Sequence, residues 1–131
     1  MRYKKQDVLI IFSKFKYRNT FLSISNDEGK LLFWQTGGKR PKIKNVKSVT
    51  FKGGQKKTWV ARETVCKYLV KVVKKLCKNT TELHLNFLAA RKYRRLLWRK
   101  LKWVRLTKNL KSIKILNFLP FNGCRSKKRK R

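Results

Sequence analysis

The chain has 131 residues and carries 38 Lys plus Arg against five Asp plus Glu, a formal charge of +33. Five acids cannot neutralise that charge internally, so the composition excludes a self-balanced surface and points to a polyanionic partner. Hydrophobic residues at 41% and aromatic residues at 12% exclude a merely disordered basic arm, and the length suits one domain.

The opening MRYKKQDVLIIF reads as a basic lead into a strand, not as a signal peptide. No apolar run approaches the ~20 residues of a membrane span. VLIIFSKFKY (8–17) is the first expected strand, with a turn or bulge at Arg18-Asn19. TFLSIS (20–25) alternates, placing Leu22 and Ile24 on one face and Ser23 and Ser25 on the other. Asn26-Asp27-Glu28-Gly29 is a turn, and KLLFW (30–34) returns as the third strand. Residues 35–57 form a long basic loop broken by Gly37, Gly38, Pro41, Gly53 and Gly54, with a short strand expected at 46–51.

Thr58 is the expected cap of a helix over 58–78. Val65, Leu69, Val72, Val73 and Leu76 make its apolar stripe, and Lys67, Lys71, Lys74 and Lys78 the opposite face. Glu63 is expected in its first turn, where it suits the helix dipole. ELHLNFL (82–88) is a strand with Leu83, Leu85 and Phe87 inward and His84 outward. A second helix spans 91–106, with Tyr93, Leu96, Leu97, Leu101 and Val104 as its apolar arc, and Trp103 beside that arc is expected in the core. SIKILNF (112–118) closes the sheet as a parallel neighbour of 82–88. The elements predict an α/β fold with a mixed five-stranded sheet and two main helices, a single domain over 1–120 and a basic extension over 121–131.

No Ser-His-acid set, paired carboxylates or Gly-x-Gly-x-x-Gly occurs, so no catalytic residue, cofactor or small-molecule substrate is expected. Cys66, Cys77 and Cys124 form no disulfide framework and, with His84 as the one histidine, no metal site. They read as reduced, mostly buried thiols. Lys52, Lys56 and Lys57 surround Gly53 and Gly54, which let a backbone come close, and Thr58 opens a helix whose free amides favour phosphate. The second helix starts on Arg91, Lys92, Arg94 and Arg95, and Trp98 amid its bases is a base-stacking residue, a contact to a protein neighbour or an edge of the core. The Asn122-Gly123 turn aims a tail of Arg125, Lys127, Lys128, Arg129, Lys130 and Arg131.

NTFLSISNDEGKLLFW (19–34), then Phe51-Lys52-Gly53, Thr58-Trp59-Val60-Ala61 and PFNGCR (120–125) with its basic end resemble the small-subunit ribosomal protein S-eleven family, over about residues 8–131. The resemblance implies a three-layer, ribonuclease H-like α/β fold without nuclease activity. It implies a structural role on the platform of the small subunit, near the messenger RNA's exit path, beside the proteins numbered six, eighteen and seven. Contacts with small-subunit rRNA would fall on Lys52, Gly53, Asn122, Gly123, Arg125 and the terminal bases. The chain departs from the family at Asn26 (Asp), Phe121 (His) and Ser126-Lys127 (Pro-Pro). It also has a basic insertion between Trp34 and Phe51, and Ala89-Ala90-Arg91-Lys92-Tyr93 replaces a glycine-rich turn. The Lys/Asn/Phe/Ile-rich usage and the missing presequence suggest a mitochondrial matrix ribosome, with a plastid or bacterial cytoplasm as the alternative. A cationic membrane-docking protein is the competing reading, resting on the two basic amphipathic helices. A free DNA-binding protein is third and lacks a helix-turn-helix or zinc pattern.

Overall fold

Alternating burial along each strand builds the sheet. A computed structural model describes residues 6–39, 49–88, 91–116 and 123–124 of the chain. The strands are β1 (Gln6–Phe15), β2 (Thr20–Ser25), β3 (Leu31–Thr36), β4 (Cys77–Leu88) and β5 (Leu110–Ile115), and the helices are α1 (Trp59–Leu76) and α2 (Arg91–Trp103). They form one mixed sheet in the order β3-β2-β1-β4-β5. The pairs β1–β2 and β2–β3 are antiparallel, and β1–β4 and β4–β5 are parallel. The expected five-stranded mixed α/β architecture is therefore present, including the parallel β4–β5 pair.

One face of the sheet is the core face. It carries Leu9, Ile11 and Phe15 of β1, Leu22 and Ile24 of β2, and Leu83, Leu85 and Phe87 of β4. Against it pack Val65, Leu69, Val72, Val73 and Leu76 of α1 and Leu96, Leu97 and Leu101 of α2, all in one buried cluster. Each such side chain contributes about 1.5–3 kcal/mol on leaving water. Both helices thus lie on the same face, and the described residues form two layers where the resemblance implies three. The topology gives the reason. The connections β3–α1–β4 and β4–α2–β5 both join parallel strands and both step in the same direction across the sheet, so the right-handed crossover rule puts both helices on one side.

The β2–β3 turn forms as the sequence predicts. Gly29 has φ 79°, and the Asn26 side-chain oxygen accepts from the Lys30 amide at 2.7 Å. Asn26 thus performs the turn-closing task of an aspartate. At α1, the Thr58 hydroxyl accepts from the Ala61 amide at 3.3 Å, as an N-cap should.

Several boundaries differ from the sequence-based expectation. The loop after β3 starts beyond Thr36, and a 3₁₀ turn at Gly53–Lys57 leads into α1. Of the short strand expected at 46–51, residues 49–51 are irregular, and 46–48 lie outside the described residues. Helix α1 ends at Leu76, because Cys77 is already extended (φ −72°, ψ 139°). Glu63 is the fifth helical residue, past the first turn. Trp103 is 87% exposed, against the expectation of a core position. Helix α2 stops there, Arg105 takes a left-handed φ of 58°, and the reversal lets Leu106 fill the core.

Candidate nucleic-acid interface

The fold sorts charge towards its two ends. Asp7 is the second residue of β1, Asp27 and Glu28 sit in the β2–β3 turn, and Glu82 pairs in register with Val8. These four acids share the end of the sheet where β1 begins. The fifth, Glu63, is held by Lys100 at 2.6 Å and Lys67 at 3.3 Å. Those two ammonium groups, the Lys100 hydrogen bond first, keep its carboxyl below the ordinary range.

At the opposite end converge the 16–19 turn, the 37–39 turn, the 51–57 segment and the starts of both helices. Their spatial closeness is visible in specific bonds. The Asn19 side-chain oxygen accepts from the Gly37 amide at 3.3 Å, and the Phe51 amide donates to the Gly37 carbonyl at 3.0 Å. The Arg62 guanidinium, 1% exposed, donates to the Lys16 carbonyl at 3.0 Å, the Tyr17 carbonyl at 2.8 Å and the Lys57 carbonyl at 3.2 Å. It also lies 4.2 Å from the Tyr93 ring centre, which stacks on Phe15 at 5.5 Å. One buried cation therefore ties the β1–β2 turn, the 3₁₀ turn and α2 together.

Tyr17, Arg18 and Asn19 form one wall of a cleft of about 670 Å³ at this end, and Gly53, Gly54, Lys56 and Lys57 the other. Gly53 has φ 49°, and a Cβ on Gly53 or Gly54 would meet nothing within 4 Å. The backbone here is open to close approach, as the sequence suggests. Lys52 and Lys57 are exposed, and the Lys56 side chain runs beside Gly38. Neither α1 nor α2 has an acid in its first turn, and α2 opens on Arg91, Lys92 and Arg94. Both helices point the positive ends of their dipoles at this cation-rich edge, an arrangement that favours an anion in front of them.

The other expected contacts distribute differently. Arg94, Arg95 and the partly exposed Trp98 line a shallow cleft with Ile113 and Ile115 at the β5 edge, so Trp98 sits at the rim of the core. Gly123 is exposed. Asn122, Arg125, Lys127, Lys128, Arg129, Lys130 and Arg131 lie outside the described residues, as does the Ala89-Ala90 segment. Sequence reasoning overlooked Lys16, Tyr17, Arg18 and the clamp Arg62. The hairpin at Arg18-Asn19 was the available signal, but only the sheet register brings 16–19 beside 53–57.

Among the described residues no cluster of His, Cys, Asp and Glu could hold a metal ion, and no helix is long and apolar enough to cross a membrane. His84 hydrogen-bonds Ser112 across β4–β5 at 2.6 Å, which accounts for it as a strand residue. No protein-family model matches the chain, and no curated protein matches it.

Proposed function

We propose that this protein is a structural, rRNA-binding component of a small ribosomal subunit, a divergent member of the S-eleven family. One observation carries the reading. The two helix N-termini and the loops around them form a cation-rich edge without free acids, in a chain of charge +33. Bases at helix starts oppose the helix dipole. The arrangement becomes favourable when RNA phosphates sit between the bases and the amides. Lys52, Gly53, Lys56 and Lys57, with Arg91, Lys92, Arg94 and Arg95, then neutralise and position the rRNA backbone. The basic tail from Arg125 onwards extends the same contact. The five-stranded mixed sheet is compatible with a ribonuclease H-like ancestry in which the described part has two layers.

In this reading the protein sits on the platform near the messenger RNA's exit path, with the proteins numbered six, eighteen and seven as neighbours. It works without catalysis in a mitochondrial ribosome. The test is sedimentation of organelle or cell lysate across a salt series, with detection of this chain. It should travel with small subunits and leave them at high salt. With about 6–10 phosphate contacts, affinity for an rRNA platform fragment should fall ~10³- to 10⁵-fold between 50 and 200 mM salt. Sedimentation with membranes would overturn the proposal in favour of membrane docking, and a chain running free of RNA at moderate salt would overturn it as well.

A further inference from the structure

The sheet face opposite the helices is uncovered among the described residues, and its upper half is aromatic. Phe12 of β1 is 45% exposed, Phe21 of β2 41% and Trp34 of β3 46%. Register fixes their layout. Phe12 and Trp34 both pair with Ser23, one on either side, and Phe21 pairs with Lys14 and Thr36. Phe12 and Trp34 are therefore about 10 Å apart, two strand spacings, and Phe21 lies diagonally about 7–8 Å from each.

We infer that this face is a stacking platform for single-stranded RNA bases, an inference that rests on the polyanion reading above and extends it to a second surface. Three features favour a nucleic-acid strand over an apolar protein segment. First, Ser23, Thr36, Lys14 and Asn86 stand among the aromatics, so polar groups separate the three rings from one another while Leu88 and Leu116 add apolar surface at one corner of the same groove. Splayed bases use such a pattern, with rings for stacking and polar neighbours for base edges. Second, the charge is complementary. Lys14 lies beside Phe21, Lys39 holds its ammonium 3.2 Å from the Trp34 ring centre, and Lys114 pairs with Asn86 next to Phe12. The one carboxylate on this face, Glu82, lies at the far end and is bridged to Lys111 at 3.4 Å. Third, the platform meets the cation-rich edge, because Lys14 and Thr36 on this face lie at the strand ends that run into the 16–19 and 37–39 turns. A strand whose phosphates lie on that edge can lay its next bases on the sheet. A base stacking on Trp34 displaces the Lys39 ammonium towards that strand's own phosphates.

The test uses the full chain, short oligouridylate and a fully paired RNA duplex with the same number of phosphates. Phe12→Leu, Phe21→Leu and Trp34→Leu keep apolar cover on the sheet while removing the rings, and circular dichroism checks that each variant is folded. Each should weaken the single strand by about 5- to 150-fold, the range for losing one stacked base, with the salt slope and duplex affinity unchanged. Oligouridylate should also quench wild-type fluorescence more than that of Trp34→Phe. The inference is overturned if the three variants bind the single strand as wild type does, which would assign the face to a protein neighbour. It is equally overturned if single strand and duplex weaken together. In both cases wild-type duplex binding leaves the polyanion reading standing, whereas wild-type failure to bind either probe at physiological salt sinks both.

Discussion

Replacing Arg62 tests whether the edge is built by one buried clamp. Its guanidinium makes three hydrogen bonds to carbonyls, two of them across 45 or more residues of sequence, and packs on Tyr93. A hydrogen bond from a charged group is worth about 1.5–3 kcal/mol, and a desolvated cation–π contact about 2. Lys16 and Tyr17 are exposed residues, so water takes over part of the carbonyl loss. Arg62→Ala should therefore cost about 3–5 kcal/mol, a large share of the 5–15 typical of a domain. Arg62→Lys keeps the charge but lacks the fork that reaches carbonyls of two separate turns at once, and should recover less than half. Urea unfolding at moderate ionic strength, followed by tryptophan fluorescence, reads the midpoint, which should drop by about 2 M at constant slope. An Arg62→Ala protein within about 1 kcal/mol of wild type would refute the clamp. The 53–57 turn would then have to be held by its own bonds, such as that from the Thr58 amide to the Gln55 carbonyl at 3.1 Å.

Thr58→Ala should cost about 1 kcal/mol by removing the cap on the Ala61 amide, and Thr58→Ser should restore most of it in the same unfolding assay. The Glu63 pKa is lowered from 4.5 in the folded chain, chiefly by the Lys100 hydrogen bond. Its contribution is fully present above about pH 4.5 and fades as pH falls through the depressed folded value, so Glu63→Gln should flatten stability against pH in that acid window. Burial pushes the Cys66 thiol up to about 12 and Cys77 up to about 11, whereas Cys124 is exposed. Iodoacetamide at pH 8 should label Cys124 quickly and Cys66 only with unfolding, as mass spectrometry of timed samples would read. The isolated protein should melt poorly at low salt and gain stability as salt shortens the screening length from ~30 Å at 0.01 M to ~3 Å at 1 M. A sharp melt independent of salt would contradict the claim that self-repulsion limits it.

Periodicity carried most of the fold. The alternation at Leu22 and Ile24 and the stripe from Val65 to Leu76 each survive as buried faces. What periodicity could not supply is where an element stops, because neighbours distant in sequence decide that. Helix α1 would continue through Cys77 and Lys78 on pattern alone. Instead the Thr81 hydroxyl takes the Lys78 amide and donates to the Gln6 carbonyl, while Asn109 donates to the carbonyls of Lys78, Asn79 and Thr81. Those bonds draw 77–81 into the sheet early. Trp103 stays out of the core for a related reason: its angular position is near the apolar arc, but the helix ends there and the reversal at Arg105 brings Leu106 into the core instead. At the interface, the lysines of 52–57 stand out in the sequence, whereas Arg62 looks like one more base on a basic helix. Nothing local separates a clamp from a solvated arginine.

The same chain-distant geometry explains why the charge is sorted as it is. With five acids, the fold can relieve repulsion at only a few places, and it places four of them at the end of the sheet where β1 begins. Asp7 bridges Lys78 at 2.9 Å there, just after the α1 C-terminus, where Lys74 and Lys75 also suit the helix dipole. That end also carries Lys30, Lys74, Lys75, Lys78, Lys108 and Lys111, so its four acids relieve only part of the repulsion, chiefly through the Asp7–Lys78 and Glu82–Lys111 pairs. The opposite end has the reverse of each feature: helix N-termini, bases in place of acids, open glycine backbone and aromatics emerging on the adjoining sheet face. A random excess of lysine would burden both ends alike. Concentrating the imbalance where the dipoles aggravate it leaves one edge that, under the proposed function, an external polyphosphate chain would relieve, and the contacts of Arg62 tie the turns of that edge together.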